Sequence, residues 1–259
     1  MQLYLAAAPD RLETVRQYTP LPAHAAYRID PDGRLSSLSL PPNLRGGLLM
    51  LSDKDAPTSL QPELLCRDLL QECRRRSYAG VVLDFVTHPR AAFNRMVQLL
   101  DRELSRQQRI LFVPESWGCH TRSACVVICS AISGGQLRQR LAEAAARFAP
   151  RPVALDCQRL VMDFLLPAPN GEGLPLSLTR LEQLRRGRNT YYSAALCARY
   201  FTYRSGTQTH FVLFDDAETI CCKVRLAREL GYTAAFFMLP EVEDLLPDLF
   251  PQKKQASPR

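Results

Sequence analysis

The sequence is short of the residues that build metal centres. It has four histidines, His24, His88, His120 and His210, and none shares an H-x-x-x-H or H-E-x-x-H spacing. Cys125 and Cys129 sit in an apolar run and Cys221-Cys222 in a helical one, whereas zinc favours tight Cys/His pairs on loops. No metal and no other cofactor is therefore expected. No G-x-G-x-x-G follows a strand and no G-x-x-x-x-G-K-[ST] is present, so the nucleotide-binding signatures are missing. No apolar stretch is long enough to span a bilayer. No long low-complexity segment argues for disorder.

What is present is a core-forming composition. Hydrophobic residues make up 46% of 259 positions, enough for one large barrel or two small domains. The net charge of +7 permits an acidic partner, but the basic residues are spread over many helices without a binding motif. No specific nucleic-acid signal follows. Nine cysteines, an odd number lying mostly in apolar segments, read as reduced, buried thiols. Residues 1–9 lack a basic stretch, and their apolar run is too short for an export signal. They read as a first strand, and a cytoplasmic location is the expectation.

The chain alternates short apolar runs with amphipathic helices. Residues 80–86 form a nearly all-apolar strand whose one charge, Asp84, lies near its carboxyl end. Strands are also expected at 3–8, 23–29, 46–51, 109–113, 124–132, 153–166, 209–214 and 233–239. Helices are expected at 10–18, 61–75, 90–106, 135–148, 178–186 and 217–230. The alternation predicts an α/β fold, a (β/α)8 TIM barrel, with an open doubly wound sheet as the alternative. The candidate strands outnumber eight staves. One of 109–113 and 124–132, together with 209–214, is therefore expected to be an excursion. Residues 1–251 form one barrel domain in this reading, and 252–259 a basic, frayed tail.

Two segments carry a family likeness. Gly80-Val81-Val82-Leu83-Asp84-Phe85-Val86 resembles the fourth-strand motif D-G-x-D-x-D-x-E of family 18 glycoside hydrolases, the chitinases and spore-cortex-lytic enzymes. Gly80 and Asp84 match its glycine and last aspartate, while Ala79, Val82 and Val86 stand at its other acids. Residues 211–231, with Asp215-Asp216, Thr219, Lys223, Ala227 and Gly231, resemble the family's W-x-x-Y-D-D-x-x-S-x-x-x-K…A-x-x-x-G segment. Met238 falls on the family tryptophan that floors a sugar subsite. Met162-Asp163-Phe164-Leu165 resembles the sixth-strand M-x-Y-D, with its last two residues replaced.

The resemblance implies a barrel from a bacterial-type setting. It also implies a substrate-assisted reaction in which a glutamate protonates the leaving oxygen. Val86 cannot carry that proton, so the likeness points to a pseudoenzyme that binds a carbohydrate or a protein partner at the strand ends. An active hydrolase remains a second reading, with Asp84, Glu115 and Asp53 as candidate carboxylates. A third is a structural barrel whose cleft is plugged by Phe164, Leu165 and Met238. Trp117, Phe164, Met238, Asp163 and Glu241 are the candidate ligand contacts.

Overall fold

A computed structural model describes residues 1–18, 20–58, 60–168, 171–250 and 252. The expected basic tail, Gln252 apart, lies outside the described residues.

Eight parallel strands close into a ring. They are β1 (Gln2–Ala7), β2 (Leu21–Ile29), β3 (Leu48–Ser52), β4 (Gly80–Asp84), β5 (Ile110–Pro114), β6 (Cys125–Cys129), β7 (Val153–Asp156) and β8 (Ala234–Met238). Each pairs in parallel with the next; β8 pairs with β1, and β1 with β2, which completes the barrel. Helices α1 (Leu12–Arg16), α2 (Pro62–Arg75), α3 (Ala91–Arg106) and α4 (Leu137–Phe148) follow β1, β3, β4 and β6.

Strand periodicity divides the core in two. Odd positions of β3 and β4 (Leu49, Leu51, Val81, Leu83) face the helices, where they join Leu65, Leu69, Phe93, Met96 and Leu100. Even positions point into the ring, where Leu48, Met50, Val82, Phe112, Ala154, Phe236 and Tyr4 fill the interior. Tyr4 stacks on Phe236 at 5.0 Å, and Phe112 meets Phe236 edge-on at 4.8 Å. Gly80 is dictated by closeness: a Cβ there would lie 2.1 Å from the Ile110 carbonyl oxygen of the next strand.

The strands at 109–113 and 124–132 are both staves, and only 209–214 is an excursion. The expected single strand 153–166 is two. The chain leaves the barrel after Asp156 and re-enters a sheet at Val161, held in between by Arg159. The Arg159 guanidinium donates to the Glu241 carbonyl at 2.8 Å and to Asp244 at 2.6 Å.

An antiparallel five-stranded sheet is thereby inserted between β7 and β8. Its strands are Val161–Leu166, Leu174–Pro175, Tyr191–Ser193, Ala198–Ser205 and Gln208–Phe214. Helix α5 (Leu178–Arg185) covers one face through Leu181 and Leu184, against Phe201, Val212 and Phe214. Met162–Leu165 therefore belongs to the insert. The true sixth stave, Cys125–Cys129, contains neither tyrosine nor aspartate, so the expected sixth-strand motif is misplaced.

The insert returns to the barrel through α6 (Ala217–Glu229), and here the Asp-Asp segment has a physical meaning. Asp215 accepts from Lys223 Nζ at 2.6 Å, from Leu160 N at 2.8 Å and from Thr219 Oγ1 at 2.9 Å. Both members of the ion pair are buried. Asp216 caps α6: its carboxylate accepts from Thr219 N at 2.9 Å, while Thr219 Oγ1 accepts from Asp216 N at 3.0 Å. The spacing 215, 216, 219, 223 is thus that of a helix cap and one buried ion pair a turn further on.

Candidate functional site

Barrel parity decides which side chains reach the mouth. Asp84 follows the inward Val82, Asp156 follows Ala154, Cys129 follows Val127, and Met238 follows Phe236. All four line one cleft of about 510 Å³ at the carboxyl ends of the staves. Met50, Val82 and Phe236 form its floor, and Glu115, Gln158, Glu241 and Val86 its walls. In such barrels chemistry is located at this end. Four carboxyl groups line the cleft and, among the described residues, no lysine, arginine or histidine does, although the chain carries +7. A larger hollow of about 760 Å³ lies outside the ring between α3 and residues 119–123. No strand end reaches it, and Arg95, Arg102 and Arg106 on its walls are paired with Glu63 or Glu103.

The carboxyl groups differ in their surroundings. Among the described residues, neither the Asp84 nor the Asp156 carboxyl has a hydrogen-bond partner. Burial pushes the Asp156 carboxyl up to about 7, and the nearby charges of Glu241 and Asp84 add to the effect. Burial also raises Asp84, with Asp53 adding to it. Glu241 is raised by burial, opposed by its bond from Arg159 N at 3.0 Å.

Glu115, by contrast, is neutralised by Arg140 and Arg147 of α4. Asp53 is buried and accepts from Val86 N at 2.9 Å, Thr87 N at 3.0 Å and the Thr87 hydroxyl. It organises the loop after β4 and does not line the cleft. Of the three candidate catalytic carboxylates, only Asp84 faces the cleft with a free carboxyl.

The expected ligand contacts divide similarly. Met238 and Glu241 line the cleft. Trp117 does not: it is wholly buried, 5.5 Å from the Phe85 ring and 6.4 Å from Phe93, so no face is left for a sugar. Phe164 is buried beneath the insert with Leu160, Leu196 and Leu213. Asp163, also on the insert, accepts from the Tyr203 hydroxyl at 2.7 Å and lies 3.1 Å from His210 Nδ1. The proposed apolar plug thus loses Phe164 and Leu165 to the inserted sheet and keeps only Met238.

Sequence reasoning missed Asp156 and Gln158. The signal was there, since Val-Ala-Leu-Asp repeats the pattern of Val-Val-Leu-Asp at 81–84. Joining 153–166 into one strand hid the fact that Asp156 is a strand end.

The raised Asp156 carboxyl has a thermodynamic consequence. Its folded value, about 7, lies above the ordinary 3.8, so between these pH values the folded chain holds a proton the unfolded chain has released. That contribution to stability is complete below about 3.8 and is lost as pH rises through about 7. Urea unfolding from pH 4 to 7.5 should show a stability decline in the wild type that Asp156→Asn flattens. Parallel profiles for the two proteins would contradict the assignment.

No family model matches the chain, and neither does any curated protein. Solved structures do match. The spore cortex-lytic enzyme SleL of Bacillus megaterium QM B1551 superposes with a TM-score of 0.63 at 17% identity, over 98% of this chain and 75% of that one. A chitinase from Chromobacterium violaceum gives 0.63 at 18% identity, over 92% and 94%. A doubly mutated family 18 chitinase from Cycas revoluta in complex with (GlcNAc)4 gives 0.60 at 14% identity, over 96% and 98%. At such identities the likeness is one of fold: this chain has the barrel architecture of family 18 glycoside hydrolases.

Proposed function

We propose that the chain is a carbohydrate-binding barrel that holds an oligosaccharide at its mouth without cleaving it by the substrate-assisted route. Residue 86 carries this reading. It stands two positions beyond Asp84, where the family motif has its acid, and it is a valine, 81% exposed at the rim of the cleft. A general acid must hold a proton and reach the glycosidic oxygen, and a hydrocarbon can do neither. The cleft itself is open and of a size that takes small ligands. Met238, above the buried Phe236, offers an apolar surface for the C–H face of a sugar ring, and Asp84 and Glu241 offer acceptors for its hydroxyls. Neighbours of the same fold bind such ligands, as the complex of the Cycas revoluta chitinase with (GlcNAc)4 illustrates.

Calorimetric titration with chito-oligosaccharides tests the proposal. The wild type should bind, and Asp84→Ala should bind roughly tenfold or more weakly, as expected for loss of hydrogen bonds to a charged group. Affinity that is absent, or untouched by the substitution, would contradict it. The competing outcome is a protein partner at the same rim.

One observation favours a second reading. A carboxyl raised to about 7 is a proton donor at neutral pH, and Asp156 shares its cleft with Asp84. With Glu115 and Asp53 otherwise engaged, a retooled hydrolase would use this pair. Its mark would be turnover that declines above about pH 7 and disappears in Asp156→Asn.

A further inference from the structure

Two sulfur atoms meet at the seam between the inserted sheet and the barrel. Cys197 lies just before the inserted strand Ala198–Ser205, and Cys222 lies on α6. Their Sγ atoms are 3.1 Å apart, and the Tyr192 hydroxyl is 3.4 Å from Cys222 Sγ. Cys197 adopts φ +48°, the left-handed region that a non-glycine residue enters at a cost and that clusters at functional positions. The same turn is tied to α4, where Leu137 N donates to the Ala195 carbonyl at 2.8 Å. Over the pair opens a hollow of about 260 Å³ with Arg138, Arg225 and Glu229 on its walls. Among the described residues, no other two cysteine sulfurs are in contact. Cys66, Cys73, Cys125 and Cys157 are buried singly in the core.

We infer that Cys197 and Cys222 form a thiol–disulfide exchange site. A small-molecule disulfide oxidises the pair to an internal disulfide that staples the inserted sheet to α6. Cys222, the more exposed of the two, gives up its proton to solvent and attacks one sulfur of the reagent. The reagent's S–S bond breaks, and its first half leaves as a thiolate that takes a proton from water. Cys197 then loses its proton and attacks the Cys222 sulfur of the mixed disulfide. That bond breaks, and the second half leaves as a thiol. Two protein thiols are oxidised and one small disulfide is reduced to two thiols.

The order of attack follows from the surroundings. Cys222 is the less buried of the two and opens on the hollow, so a reagent meets it first. Burial, with Cys222 beside it, pushes the Cys197 thiol up to about 11, which suits the second role, when the target sulfur is already in contact.

Treating the full chain with oxidised glutathione, alkylating it and mapping its peptides tests the site. Positions 197 and 222 should lose alkylation together and appear as one cross-linked pair, released by dithiothreitol. Cys197→Ser should instead trap a lasting glutathione adduct at Cys222. Hydrogen exchange across residues 191–205 should slow roughly severalfold on oxidation, as expected when local opening is restrained. The proposal is overturned if wild-type Cys222 keeps its glutathione adduct, if Cys222 bridges to Cys221, or if both thiols remain open to alkylation.

Discussion

Lys223→Ala is expected to cost about 3–5 kcal/mol of folding stability, the usual result of removing one partner from a buried ion pair. Asp215 would be left fully buried without its cation, with only Leu160 N and the Thr219 hydroxyl as partners. For a domain whose whole margin is about 5–15 kcal/mol, that is a large fraction. The pair Asp215→Asn with Lys223→Met removes both charges together and should recover much of the loss, since the amide oxygen can still accept from Leu160 N. Denaturant titrations of Asp215→Asn, Lys223→Met and the double variant provide the cycle. A single variant within about 1 kcal/mol of wild type would mean that water relieves the site.

The second large effect concerns Val86, on which the proposed function rests. Val86→Glu alone is expected to leave the chain without measurable chitinase turnover. Losing a general acid costs roughly two to four orders of magnitude, but restoring the carboxyl does not restore its setting. At the cleft the sixth stave offers only the Cys129 thiol and the eighth only the Met238 thioether, neither of which can stand in for a tyrosine hydroxyl or a carboxylate. Asp84 would face the new glutamate from the same strand end. Chito-oligosaccharide hydrolysis assayed by product chromatography checks this. Turnover gained from that one change would show the remaining cleft to be competent.

Much of the barrel was legible in the sequence because a parallel stave is buried on both faces and shows as a short apolar run. The Asp-Asp…Lys segment was legible because a helix cap and a buried pair fix residue types at fixed spacing. The insert was harder. Its first strand, Val161–Leu166, carries a single charge, as the stave Gly80–Asp84 does, so the two look alike in sequence. A run of residues does not state which sheet it joins, so 153–166 was read through the point where the chain leaves the barrel.

The site was affected in the same way. Asp84 could be placed because a helix follows it closely, whereas Asp156 is followed by more apolar sequence. Trp117 looked available because it follows Pro114-Glu115 in a loop. That loop folds back as a short 3-10 helix, Glu115–His120, and drives the indole into the core beside Phe85. Glu115 kept its place at the rim, but the arginines that occupy it lie twenty-five and thirty-two residues further on, on α4.

One experiment bears most directly on the whole account: incubating wild-type chain with a chito-oligosaccharide while following binding and products in the same sample from pH 5 to 8. The account predicts saturable binding that shifts the resonances of Met238 and Phe236, with the sugar recovered intact at every pH. Cleavage that Asp156→Asn abolishes would contradict it and identify the mouth of this barrel as a working hydrolase.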